Sequence, residues 1–143
     1  MSRRTRKPPS LIRLTSNMYH GHKKRARKAG AAITYSLSQL RQLVQTAIDS
    51  VCPHCHEPLC LANISIDHAQ PVCRSGPDGF EFDNLEVCCR ECNLAKGPLT
   101  DDEFDALLRI LASFPKPIAE NTLARLRAGN RARLNLQAHE SPT

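Results

Sequence analysis

Tryptophan is absent from this 143-residue chain, and the aromatic residues together make up only 4% of it. No apolar run approaches the roughly 18 residues that a membrane-spanning helix needs. The first ten residues are basic and no apolar segment follows them, so we expect neither a secretory signal nor a membrane partner. We expect the protein to lie in the cytoplasm. With 41% hydrophobic residues the chain can still bury a core, which excludes wholesale disorder.

Acidic residues are missing from the first 30 positions, which contain ten Lys and Arg. The other 113 residues carry ten basic and fourteen acidic groups. Such a basic arm is typical of polyanion binding, although a solvated tail that aids solubility has the same composition. Because no acidic residue pairs with these cations, we favour nucleic acid as the partner. The arm residues expected to contact phosphates are Arg3, Arg4, Lys23, Lys24, Arg25, Arg27 and Lys28.

Hydrophobic spacing and helix-capping residues predict a mixed α+β chain. Ser36 with Gln39, and Thr100 with Glu103, match the capping-box pattern at helix starts. A loop is expected over 70–83, which holds two Pro and two Gly. The expected helices cover residues 11–29, 37–50, 89–97, 101–113 and 118–132, and the expected strands cover 64–68 and 85–87.

Four of the seven cysteines form two pairs, Cys52 with Cys55 and Cys89 with Cys92, and 33 residues separate the pairs. A two-residue gap lets both thiolates of a pair reach one ion, and four such ligands are typical of a closed structural zinc site. Disulfides are an alternative, but the odd number of cysteines argues against them. A redox-active pair is a weaker alternative, because no βαβ pattern surrounds either motif.

Three cysteines remain, and we expect Cys60, Cys73 and Cys88 to behave as small buried hydrophobic residues. Cys88 precedes a pair directly, so the ligand position could be shifted by one, although that shift breaks the two-residue gap. His54 and His56 could each replace a thiolate.

The segment between and just beyond the cysteine pairs contains Asp67, His68, Asn84, Asn93 and Lys96. Carboxylate and amide oxygens suit Mg²⁺ or a similar hard ion, and a neutral histidine can deprotonate water. Neighbouring side chains on a strand point to opposite faces, but at a strand end they can flank one substrate. Each residue alone also has an ordinary explanation as a turn or capping residue. Their joint position within the cysteine frame favours a catalytic site.

These residues resemble the HNH endonuclease family, in its zinc-binding variant of the ββα-metal motif. The likeness spans 46 residues, Cys52 to Gly97, and lies in four stretches. They read Cys-Pro-His-Cys at 52–55, Ile-Asp-His-Ala-Gln-Pro at 66–71, Asp-Asn-Leu at 83–85 and Cys-Arg-Glu-Cys-Asn-Leu-Ala-Lys-Gly at 89–97. The resemblance implies a small ββα-metal core flanked by helices, as found in phage and bacterial proteins.

The resemblance also implies a role for each matched position. His68 is expected to activate water, and Asp67 with Asn93 to hold a catalytic Mg²⁺ or Mn²⁺. Asn84 is expected to brace the loop that orients His68. The structural Zn²⁺ is expected on Cys52, Cys55, Cys89 and Cys92. The third family position, often His, is Asn here, and the loop at 73–79 departs from the family pattern.

The expected function is therefore hydrolysis of DNA phosphodiester bonds, by nicking or by double-strand cleavage in a homodimer. Arg74, Arg90 and Lys96 are expected to add phosphate contacts near the scissile bond. Two alternatives stay open: a non-catalytic zinc module that binds nucleic acid, and a phage packaging accessory that acts in a larger complex. The expected organisation is a basic arm and helix over 1–30, the zinc-stabilised nuclease domain over 31–114, and a C-terminal helix with a polar tail over 115–143.

Overall fold

The computed structural model describes residues 10–139, and within them the chain forms six α-helices and a two-stranded antiparallel sheet. This confirms the α+β class. Arg3 and Arg4 lie outside the described residues. The helices are α1 (Leu11–Lys28), α2 (Leu37–Ala47), α3 (Val72–Ser75), α4 (Arg90–Lys96), α5 (Asp101–Ala112) and α6 (Lys116–His139), and the strands are β1 (Ile64–His68) and β2 (Leu85–Cys89).

The two strands pair so that Ile64 lies opposite Cys89 and His68 lies opposite Leu85. Burial alternates along β1, with Ile64 and His68 buried and Asp67 only partly covered. Asp67 lies opposite Glu86 on the neighbouring strand. The helix α4 follows β2 without an intervening residue and packs against both strands. One face of the sheet therefore packs against the core, and the other face, which carries Asp67 and Glu86, is more polar.

The hydrophobic core lies between the sheet and the longer helices. Leu40 and Val44 of α2 and Phe104 of α5 are completely buried, and Ile64 is 1% exposed. Partly buried side chains from α1 and α6 pack against this cluster, so these terminal helices also contribute to the core. Burial of each large apolar side chain stabilises the fold by about 1.5–3 kcal/mol.

Both capping boxes predicted from the sequence are confirmed. The Ser36 hydroxyl accepts a hydrogen bond from the Gln39 backbone N–H, and the Gln39 side chain accepts one from the Ser36 N–H. Thr100 and Glu103 make the same reciprocal pair at the start of α5. Each pair satisfies two backbone donors that a helix start leaves without partners.

Two elements differ from the predictions. The segment expected as a loop over 70–83 contains α3 and a 3₁₀ helix at Gly76–Phe80, and another 3₁₀ turn follows at Phe82–Asn84. The last helix begins earlier than predicted, because Pro117 lies in its first turn, where a helix needs no backbone N–H donor, and it also extends to His139.

All seven cysteines lie within the described residues, and none of them forms a disulfide. Cys88 is buried as predicted, but Cys60 and Cys73 are exposed, so the prediction of buried hydrophobic roles is wrong for those two. Among the described residues, no helix combines the length and the apolar character required to cross a membrane.

Candidate metal centre and active-site cleft

Four cysteines converge where β2 runs into α4. Their Sγ atoms, from Cys52, Cys55, Cys89 and Cys92, all lie within 4.8 Å of one another. Backbone N–H groups point at the sulfur atoms: the Cys89 N–H donates to Cys52 Sγ at 3.4 Å, and the Cys92 N–H donates to Cys89 Sγ at 3.3 Å. Since all four sulfurs meet, neither His54 nor His56 is needed to complete the set.

The geometry of this tetracysteine cluster fits a tetrahedral metal ion. The Sγ atoms of Cys55 and Cys89 are 3.7 Å apart, and zinc–sulfur bonds of about 2.3 Å place tetrahedral ligands about 3.8 Å apart. Burial alone would raise the pKa of Cys52, but the backbone donors outweigh it and lower that pKa to about 7. Burial raises the pKa of Cys89 to about 11. A bound cation would stabilise thiolates at this position, and the cluster can hold a metal such as zinc.

A cleft of about 480 Å³ opens between α1, β1 and α4. The structure brings five of the sequence-predicted site residues to its lining. They are Arg25, Asp67, His68, Arg90 and Asn93.

His68 contributes a buried imidazole to this cleft. The residue is 9% exposed, and its Nε2 atom has no hydrogen-bond partner among the described residues. Burial lowers the pKa of His68 to about 4, and the positive charges of Arg25 and Lys96 add to the shift. The ring of His22 lies 5.6 Å away and that of Phe80 lies 6.0 Å away, measured between centroids. The imidazole is therefore neutral at pH 7 and is able to accept a proton.

Asp67 and Asn93 each form side-chain hydrogen bonds to the protein through one atom. Asp67 Oδ2 accepts a hydrogen bond from Lys96 Nζ at 2.6 Å. Asn93 Nδ2 donates to Ser65 Oγ at 2.6 Å and to the Ile66 carbonyl at 3.4 Å. These contacts fix the orientation of both side chains, and the Oδ1 atom of each makes none of these bonds.

Lys96 does not occupy the position expected of a phosphate-binding residue. It is 1% exposed, and its Nζ atom also contacts the His68 carbonyl at 2.8 Å and Asp101 Oδ1 at 2.9 Å. Burial alone would lower the pKa of Lys96, but the bonds to Asp67 and Asp101 outweigh it and raise that pKa. The prediction that Lys96 contacts nucleic acid is therefore wrong, because its ammonium is enclosed by the protein's own acceptors.

Asn84 joins two parts of the segment that follows β1. Its Oδ1 accepts from the Gln70 N–H at 2.8 Å, while its Nδ2 donates to the Gln70 and Gly79 carbonyls at 2.8 and 2.9 Å. The Asn84 carbonyl also accepts from the Ala69 N–H, directly after His68. Two side-chain bonds to Gln70 and one backbone bond to Ala69 thus tie Asn84 to the segment that follows His68, and the bond to Gly79 fixes the other end of the loop.

The predicted basic contacts divide into two groups. Lys23, Lys24, Arg25 and Arg27 are exposed on α1, and Arg25 reaches the cleft. Lys28 is exposed at the end of the same helix. Arg74 lies apart from this group, since its guanidinium pairs with Glu103 at the start of α5 and does not line the cleft.

His22 is a cleft residue that the sequence analysis did not single out. It is 2% exposed, and its Nδ1 lies 2.6 Å from the hydroxyl of Tyr35. A signal for its burial was present, because Thr15, His22 and Ala26 recur at helical spacing within α1. The surrounding lysines and arginines obscured this spacing.

No protein-family model matches this chain, and no curated protein matches it either. The fold and the site define a small α+β protein in which a tetracysteine cluster adjoins a basic, histidine-containing cleft.

Proposed function

We propose that this chain is a metal-dependent endonuclease that hydrolyses phosphodiester bonds of DNA. One observation carries the proposal: a neutral histidine, two oxygen ligands and two arginines line the same cleft. These residues are His68, Asp67, Asn93, Arg25 and Arg90. The likeness of residues 52–97 to HNH endonucleases supports the same function.

His68 is the proposed general base. Its imidazole is neutral at physiological pH, and its Nε2 has no partner within the described protein. It accepts the proton of the water that attacks the phosphorus atom, which raises the nucleophilicity of that water. Asn84 is the proposed positioning residue, because its side chain binds the Gln70 backbone twice and its carbonyl accepts from the Ala69 N–H, directly after His68.

Asp67 and Asn93 are the proposed ligands of the catalytic Mg²⁺ or Mn²⁺. Lys96 binds Asp67 Oδ2, and Ser65 binds Asn93 Nδ2. Both contacts leave an Oδ1 atom for a hard cation, which prefers oxygen. When bound, the ion supplies positive charge that stabilises the phosphate and the leaving oxygen.

DNA binding is assigned to the exposed cations of α1 together with Arg25 and Arg90 at the cleft. Residues Lys24 and Arg27 are exposed on the same helix that lines the cleft. Phosphate contacts of this kind position the duplex without reading its sequence. One such site attacks one strand, so a monomer nicks and a two-fold homodimer cuts both strands.

A supercoiled-plasmid assay tests the proposal. Wild-type protein is expected to give nicked product with Mg²⁺ or Mn²⁺ and none with EDTA. His68→Ala is expected to lower the cleavage rate by about 10²- to 10⁴-fold, the usual contribution of a positioned base. The matched control is His20→Ala, which removes an exposed histidine from α1 and is expected to leave the rate unchanged.

Two results contradict the proposal. If His68→Ala cuts at the wild-type rate, His68 is not the base. If the wild type binds DNA in a gel-shift assay yet cuts in neither metal, the chain is a nucleic-acid-binding module without hydrolytic activity.

A further inference from the structure

A second group of metal-ligating atoms lies on the polar face of the sheet, beside the tetracysteine cluster. It comprises His54 Nε2, Glu86 Oε2 and Asp101 Oδ1, which all lie within 4.8 Å of one another. The histidine nitrogen is 3.7 Å from the Glu86 oxygen and 4.0 Å from the Asp101 oxygen. His54 is only 8% exposed, and its Nε2 atom and the Glu86 Oε2 atom form no hydrogen bond within residues 10–139, whereas Asp101 Oδ1 contacts Lys96 Nζ at 2.9 Å.

Both ring nitrogens of His54 face carboxyl groups. Its Nδ1 lies 2.8 Å from Asp105 Oδ1, and its Nε2 faces the Glu86 and Asp101 oxygens. The buried His54 Nε2 and Glu86 Oε2 atoms lack the hydrogen bonds that water would give them, and buried polar atoms without such bonds are unfavourable.

Acidic groups outnumber the buried cation beside this cluster. Lys96 contacts both Asp67 and Asp101, and Glu86 is a third carboxyl group next to them. Burial and the neighbouring Asp101 raise the pKa of Glu86 to about 8, so a proton balances part of the charge when no other cation is bound.

We infer that His54, Glu86 and Asp101 form a second metal site, which binds Zn²⁺ or a similar divalent transition ion. Both nitrogen–oxygen distances, 3.7 and 4.0 Å, are below about 4.2 Å, twice the usual bond length of zinc to nitrogen, so each pair is close enough to share one ion. One imidazole and two carboxylates form a donor set that suits zinc, and a solvent molecule completes four ligands. Asp105 acts as the outer carboxylate that orients a metal-bound histidine.

This site adds α5 to two segments that the tetracysteine cluster already joins. His54 lies between two of the clustered cysteines, Glu86 lies on β2, and Asp101 begins α5. Through Asp101 and Lys96 the site is also connected to Asp67 at the cleft. The inference does not depend on nuclease activity, since it concerns metal held by the folded chain.

Metal content measured on the full chain tests the inference. After loading with Zn²⁺ and dialysis, the Glu86→Gln variant is expected to hold one zinc equivalent fewer than the wild type. Glutamine keeps the size of the side chain and gives Asp101 a donor, so the variant is expected to fold. The matched control Asp102→Asn removes an exposed carboxylate next to Asp101 and is expected to lose no zinc.

Titration with Co²⁺ separates the two sites. Thiolate-to-cobalt charge-transfer absorption in the near ultraviolet reports the tetracysteine cluster alone, and it is expected to be the same in wild type and Glu86→Gln. The weaker visible bands of a nitrogen and oxygen site are expected in wild type and absent in Glu86→Gln. Equal zinc content in both proteins overturns the inference, and so does an Asp101→Asn variant that retains every zinc equivalent.

Discussion

His22 shows how a single buried side chain can limit stability in acid. Burial, the positive charge of Arg25 and the proximity of His68 together lower the pKa of His22 to about 3. The ring shares a hydrogen bond with the Tyr35 hydroxyl, and its buried surroundings disfavour the charged form. The folded state therefore favours the neutral form of the His22 side chain.

This preference predicts an acid-dependent loss of stability. Between about pH 6.5 and pH 3 the unfolded chain binds a proton that folded His22 refuses, so the free energy of unfolding falls as the pH falls, by at most about 1.4 kcal/mol per pH unit. Urea unfolding of His22→Asn, with zinc in excess, is expected to show a shallower dependence over this range. His20→Asn should keep the wild-type dependence, and equal slopes for all three proteins would contradict the assignment to His22.

Residues differ in how far their roles follow from the sequence. The tetracysteine cluster was predictable because a two-residue gap is a local property of the chain. The burial of Lys96 was not, since it depends on Asp67, which is 29 residues away and becomes a neighbour only when α4 packs on β1. Likewise, Arg74 was predicted to contact phosphate, but its guanidinium pairs with Glu103, which lies 29 residues away in the sequence.

At the level of elements, caps determine where the helices begin. The Ser36 hydroxyl accepts the Gln39 N–H at 3.2 Å at the start of α2, which carries the buried Leu40 and Val44. Ser36→Ala removes this acceptor and is expected to lower the free energy of unfolding by about 1 kcal/mol. Ser38→Ala, in the exposed first turn of the same helix, is expected to change it by less than about 0.5 kcal/mol. Urea titration measures both, and equal losses would contradict a specific capping effect.

The end of α4 shows why some element boundaries were predictable and others were not. Gly97 has a φ of +53°, which favours glycine, and the sequence marked it as the end of that helix. A Cβ atom there would also lie 2.5 Å from the Asn130 side chain of α6. Asn130 donates to the Leu94 and Ala95 carbonyls, so α6 docks through a polar contact. The sequence did not predict the extension of α6 to His139, because this helix contains no buried residue and so lacks a clear apolar face.

For the molecule as a whole, the basic side of α1 predicts a salt-dependent interaction with DNA. Each phosphate contact contributes about 0.9 to the slope of log affinity against log salt concentration. The double variant Lys24→Gln/Arg27→Gln is therefore expected to reduce the magnitude of that slope by about 1.8. The matched control, Arg109→Gln/Lys116→Gln, removes two exposed charges from α5 and α6. Fluorescence anisotropy at several salt concentrations measures the slope for each protein. A slope of the α1 variant equal to that of the control variant would exclude α1 from the interface.

Metal removal is expected to affect the entire fold. A structural zinc contributes about 10–16 kcal/mol in small domains, which is comparable with the 5–15 kcal/mol stability of a typical protein. Cys89→Ser, or a strong chelator, is expected to abolish cooperative unfolding followed by circular dichroism. Cys60→Ser changes an exposed cysteine outside the cluster and should unfold as the wild type does. A cooperative transition in Cys89→Ser would show that the core is stable without the metal.

The position of the tetracysteine cluster in the chain also orders the assembly of the molecule. A metal ion shared by Cys52 and Cys92 closes a loop of about 40 residues, which in the chain-entropy model of cross-links corresponds to about 4 kcal/mol. Asp67, His68 and Asn84 lie inside that loop. During synthesis from the N-terminus, α1 leaves the ribosome before the second cysteine pair exists. The helix that carries the proposed DNA-binding cations is therefore made first, and the proposed cutting residues are brought together only when the loop closes around its metal.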